Sequence, residues 1–101
     1  MENLRTALRE FASQRKWQKF HTPKNLAMAL SVETAELTEI FQWMEGEESR
    51  DVDNKTKRHI AEEIGDIMIY LTMIADKFDL DPLTCAREKM IMNAVKYPVT
   101  G

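Results

Sequence analysis

Cysteine is all but absent from this 101-residue chain, and the lone Cys85 cannot close an internal disulfide. That excludes the disulfide-stapled mini-proteins of oxidising compartments and reads as a cytoplasmic, reducing setting. Glycine and proline are scarce too, three of each, which leaves little material for hairpin turns. The elements must be few and long. Excess base is also missing: 17 acids outnumber 14 bases, for a net charge of -3. That is the wrong sign for neutralising duplex phosphate, so no nucleic-acid polymer is expected as a partner. No apolar run approaches the roughly 20 residues needed to span a bilayer. The opening Met1-Glu2-Asn3-Leu4-Arg5 lacks the basic-then-apolar order of a signal peptide, and no membrane partner is expected.

What is present is 44% hydrophobic and 31% charged residues, with seven methionines. The length suits one domain over residues 1–101. Domains this small bury only about two-thirds of their unfolded surface, and the Ile, Leu and Met content exceeds what one thin bundle can hide. Self-association is expected on that ground.

The pattern predicts an all-α chain of four helices. The first covers about Glu2 to Lys16, with Leu4, Leu8, Phe11 and Ala12 at the three-and-four spacing of one apolar face. An aromatic connector, Trp17 to His21, leads to Thr22 and Pro23, an N-cap followed by a proline where its missing N–H costs nothing. The second helix runs to about Met44 along Leu26, Leu30, Leu37 and Phe41. A polar loop, Glu45 to about Lys55, precedes a third helix from about Asn54 to Phe78, with Ile60, Ile64, Ile67, Leu71, Ile74 and Phe78 in line. Asp81-Pro82 repeats the cap-and-proline signal and opens a fourth helix that ends before Tyr97-Pro98. The loop acids Asp51 and Asp53 do not make an EF-hand, because Thr56 stands where its glycine is required.

Two acidic doublets carry the chemistry: Glu33-x-x-Glu36 and Glu63-x-x-Asp66. Residues three apart are neighbours on a helix surface. At about 100° per residue, Glu33 and Glu63 fall roughly 45–50° from the centres of their apolar stripes, and Glu36 and Asp66 near the edges. Glu62 points outward. None of the four has a Lys or Arg three or four residues on, where a surface acid usually finds its partner. Converging buried carboxylates repel unless protonated or neutralised by cations. With no Glu-x-x-His to suggest a di-iron site, an all-oxygen set favours Mg²⁺, with Mn²⁺ as a substitute. Mg²⁺ commonly shares its shell with substrate phosphates.

The doublets, with Trp17-Gln18-Lys19-Phe20-His21, Phe41-Gln42-Trp43, Asp66 to Tyr70, Lys89-x-x-x-Asn93 and Tyr97-Pro98, resemble the all-α NTP pyrophosphatases, the MazG-like superfamily, and within it the dCTP pyrophosphatase branch. The resemblance runs nearly the whole length. It implies a four-helix MazG-like bundle, assembled as a homodimer or dimer-of-dimers tetramer, with sites completed near subunit interfaces. It implies Mg²⁺-dependent hydrolysis of a nucleoside triphosphate, dCTP or a related pyrimidine dNTP, to the monophosphate and pyrophosphate. Carried over by position, Glu33, Glu36, Glu63 and Asp66 become metal ligands, and Glu33, Glu63 and Lys89 the catalytic groups. Lys89 and Asn93 reach phosphate oxygens, Tyr70 lies beside the triphosphate, and Trp17 and Trp43 form the base pocket, with His21 nearby among the substrate-binding residues. Two departures stand out: Leu8 replaces a histidine of the dCTP branch, and Ala94-Val95-Lys96 replaces an arginine-rich stretch. Other substrates (dUTP, another dNTP, phosphoribosyl-ATP) and a non-catalytic metal-binding helical oligomer remain open readings.

Overall fold

The computed structural model describes residues 2–99, and every regular element among them is helical. Four α-helices follow in order: α1 (Glu2–Gln14), α2 (Pro23–Phe41), α3 (Asn54–Lys77) and α4 (Pro82–Lys96). Short 3-10 turns at Gln18–Phe20 and Glu48–Arg50 interrupt the two longer connectors. None of the described helices is long and apolar enough to cross a membrane.

Local chemistry explains the helix starts. The Thr22 hydroxyl accepts from the Asn25 N–H at 3.1 Å, the Asp53 carboxylate from Thr56 N–H at 2.7 Å and Asp81 from Thr84 N–H at 3.0 Å. Each satisfies one of the orphan donors of a first turn. The helix ends are less conventional. α1 and α3 close with a backbone bond reaching five residues back, Trp17 N–H to Ala12 C=O and Leu80 N–H to Ala75 C=O. This closure needs a left-handed residue, normally glycine, one position earlier. With glycine so scarce, Lys16 (φ 55°) and Asp79 (φ 58°) take it instead.

α2 and α3 form the best-packed pair, and α1 lies across α3. The α1–α3 crossing is fastened by a polar clamp. Arg9 donates from Nε to Asp76 Oδ2 at 2.8 Å and from its terminal nitrogen to Oδ1, and Arg5 Nε stands 3.9 Å from the same carboxylate. α4 meets α3 only lightly.

The core is thin. Among the described residues, only Ala12 and Leu26 are apolar and fully buried. Ile64, Leu71 and Phe78, expected in one stripe with Ile60, Ile67 and Ile74, are exposed. α3 therefore carries more apolar surface than its neighbours in one chain cover. On α4, Met90 is 70% and Val95 80% exposed. The radius of gyration is 16.7 Å, against about 13 Å for a compact 100-residue domain.

Lys16→Gly should raise stability by about 1 kcal/mol by relieving the left-handed penalty at the α1 terminus. Equilibrium urea unfolding measures this, and an unchanged or lower midpoint would contradict the closure described.

Candidate divalent-cation centre

α2 supplies Glu33 and Glu36 and α3 supplies Glu63 and Asp66 to one side of their packed pair. Carboxylate oxygens of Glu33, Glu36 and Glu63 all lie within 4.8 Å of one another. Glu63 is the deepest, at 6% exposure, and Glu62 beside it faces solvent, as the helical phase predicts. Thr72, the other buried polar side chain described, is satisfied by donating to Met68 C=O at 2.6 Å. Glu63 is not: its Oε2, like Glu33 Oε2, is buried with no hydrogen-bond partner.

Such an arrangement raises the proton affinity of the group at its centre. Burial pushes Glu33 up from its ordinary 4.5 to about 7, assisted by contact with Glu63 and Glu36 and by the charges of Glu36 and Asp66. A cation relieves the same repulsion without protonation. Orphaned oxygens converging from two helices fit a hard divalent ion.

Asp66 is near enough to act on Glu33 electrostatically but lies outside the close trio. It instead lines a cavity of about 320 Å³ with Phe11, Trp17, His21 and Tyr70. The aromatic wall is built edge to face: Phe11 and Trp17 centroids are 5.6 Å apart, Trp17 and His21 5.9 Å. The Arg15 guanidinium covers the outer face of Phe11 at 3.5 Å. Burial, then the Lys77 charge, lowers the His21 pKa and keeps the ring neutral.

Trp43, 89% exposed, lines a different, open cavity of about 620 Å³ with Glu36, Thr56 and His59. The two tryptophans expected in one base pocket thus serve separate cavities within one chain. Lys89 and Asn93, one turn apart on α4, line none of these cavities. α4 packs only lightly on α3 and brings neither residue to these cavities.

Sequence reasoning missed two features. His59 Nε2 stands 3.5 Å from Glu63 Oε1, one turn before the acid; a search for basic partners only after each acid passes over it. The Arg5, Arg9 and Asp76 cluster joins positions 67 residues apart or more, and no local spacing announces it.

Fold and centre together define an all-α protein built around a candidate divalent-cation site. The chain belongs to the MazG-like family, whose profile matches residues 28–101. It is 37% identical over 101 residues to dCTP pyrophosphatase 1 of Rattus norvegicus, covering 98% of this chain and 59% of that protein. It is 36% identical over 100 residues to dCTP pyrophosphatase 1 of Homo sapiens, again covering 59% of the relative. The chain therefore spans about three-fifths of the length of the curated relatives it matches. A pyrophosphatase of Archaeoglobus fulgidus, known from its crystal structure, is similar at 45% identity and a TM-score of 0.90, covering 98% of this chain and 93% of that one.

The raised Glu33 pKa sets a sign for pH dependence. The folded chain keeps a proton that the unfolded chain releases near 4.5, so without metal its stability falls as pH rises through that window to about 7. An added divalent ion should then lift the melting temperature more at about pH 8 than at about pH 6, because it competes with that proton. Thermal unfolding with and without MgCl₂ checks this, and Glu33→Gln should flatten both dependences.

Proposed function

We propose that this chain is a nucleoside triphosphate pyrophosphohydrolase. It takes dCTP or a related pyrimidine dNTP to the monophosphate and pyrophosphate, clearing unwanted triphosphates from the nucleotide pool, with Mg²⁺ (or Mn²⁺) held by Glu33, Glu36, Glu63 and Asp66. The observation that carries the reading is the pair of buried carboxylate oxygens, Glu33 Oε2 and Glu63 Oε2, left without partners in a convergent cluster. The dCTP pyrophosphatase relatives support the substrate class.

When bound, the cation supplies positive charge against the triphosphate and Lewis acidity toward its oxygens or toward water. The protein's own groups do the rest. Glu33, turned inward beside the buried Glu63, is suited to take a proton from the attacking water, and Glu63 is the alternative base. The aromatic cavity beside Asp66 and Tyr70 receives the nucleobase, whose stacking on an indole such as Trp17 is worth about 1–3 kcal/mol in nucleic-acid systems.

The site of one chain is incomplete in this reading, because Trp43, Lys89 and Asn93 stand apart from the Trp17 cavity. A homodimer or dimer-of-dimers tetramer supplies them from a second copy. The exposed apolar faces of α3 and α4 and the large radius of gyration support such an assembly.

Glu63→Ala should reduce Mg²⁺-dependent pyrophosphate release from dCTP by at least about 10³-fold while leaving the helical circular dichroism unchanged. Glu62→Ala should be nearly silent. A nucleotide panel separates the rival readings: preference for another triphosphate changes the substrate, whereas silence across the panel with tight metal binding leaves a non-catalytic helical oligomer. For the assembly, sedimentation velocity should show a dimer or tetramer, and Val95→Glu should shift it toward monomer with loss of activity. A monomeric, fully active wild type would overturn the shared site.

A further inference from the structure

Farther along α3 lies a second charged cluster that the proposed hydrolysis does not use. Asp76 and Lys77 stand ten and eleven residues beyond Asp66, about 15 Å along the axis at 1.5 Å per residue. There α1 and the connector flank a half-open cavity of about 120 Å³, with Arg5, Arg9, Gln18, His21, Asp76 and Lys77 among its polar lining. A space of that size admits several waters or a tetrahedral oxyanion.

Charge sets the chemistry of the space. Among the described lining residues, three cations face one carboxylate. Asp76 is already shared, gripped by Arg9 through two hydrogen bonds and approached by Arg5 at 3.9 Å. These contacts hold Asp76 well below the usual carboxylate range, so it stays ionised among the three basic side chains of the lining. Gln18 and the neutral His21 add uncharged polar groups. A fork of guanidinium donors with a nearby ammonium is the donor set that oxyanions select.

We propose that this cavity is an oxyanion site, filled by inorganic phosphate held between Arg5 and Arg9 of α1 and Lys77 of α3. Of its polar lining, only His21 also lines the aromatic cavity, and Leu8 and Met73 form the apolar wall between the two spaces. A bound phosphate adds cross-links between α1 and α3 and steadies α1, which carries the Leu8 and Phe11 side of the aromatic cavity. Nucleotide binding next door thereby becomes sensitive to phosphate. The site stands apart from the acidic centre, so it survives or fails independently of the hydrolysis proposed above.

Asp76 distinguishes an anion site from a purely structural clamp, because the two make opposite demands on it. Isothermal titration calorimetry with inorganic phosphate, at ionic strength matched with NaCl, reads the affinity directly, and thermal unfolding reads baseline stability. Wild type should bind phosphate, and Lys77→Gln should weaken binding about tenfold for the loss of one charged contact. Asp76→Asn should lower the phosphate-free melting temperature by breaking the clamp, yet bind phosphate more tightly than wild type, because the competing carboxylate is gone. Absence of phosphate binding by wild type, or equal binding by Lys77→Gln, would overturn the proposal. Loss of binding in a folded Asp76→Asn would do the same. Should Asp76→Asn fail to fold, the comparison with Lys77→Gln, whose lysine is exposed, decides alone.

Discussion

Everything at the acidic end of the molecule depends on a carboxylate held where a carboxylate is costly. Glu63 is among the most buried side chains described, and one of its oxygens has no hydrogen bond. An uncompensated buried charge costs several kcal/mol. A protein that keeps such a group against a second inward acid, Glu33, uses stability it could have had from a leucine at the same position. Two solutions are chemically available, a proton shared across the cluster or a cation placed in it. The raised proton affinity of Glu33 is the metal-free expression of the first. The second is what the donor set is suited to, and exchange between the two couples metal binding to pH.

The remainder of the chain is arranged around that constraint with little apolar reserve. α2 and α3 must pack closely to bring their acids together, and they do so around Leu26 and a row of half-buried side chains. α4 contributes almost nothing to the same core while exposing Met90, Ile91, Met92 and Val95. Exposed apolar surface on this scale marks a candidate interaction face. Trp17 and Trp43 line separate cavities of the single chain, and the shared site proposed above would bring such groups together.

α1 is governed by different physics. One of its ties to α3 is ionic, the Arg9 and Arg5 clamp on Asp76, while Ala12 is its only fully buried apolar residue among those described. Yet α1 carries Phe11 and leads into Trp17, the wall of the aromatic cavity. The position of that wall therefore rests in part on electrostatics, which salt and competing anions weaken more readily than they weaken apolar packing.

Much of this was legible in order of residues. Thr22-Pro23 and Asp81-Pro82 mark helix starts because capping and the fixed φ of proline are local, and the observed helices begin where those pairs stand. The inward turn of Glu33 and Glu63, and the outward turn of Glu62, follow from helical phase, itself a property of spacing along one helix. Asp66 and the α4 pair mark the boundary of such reasoning. Phase puts Asp66 at the edge of a stripe, but which neighbour it faces depends on how α1 crosses α3. Lys89 and Asn93 share a helix face by spacing, but the direction of that face depends on how α4 leaves α3. The exposure of Ile64 beside the half-buried Ile60 and Ile67, and the meeting of Arg9 with Asp76 across 67 residues, were likewise decided in three dimensions. Periodicity states which side chains share a surface of one helix; only the packing of helices determines what that surface meets.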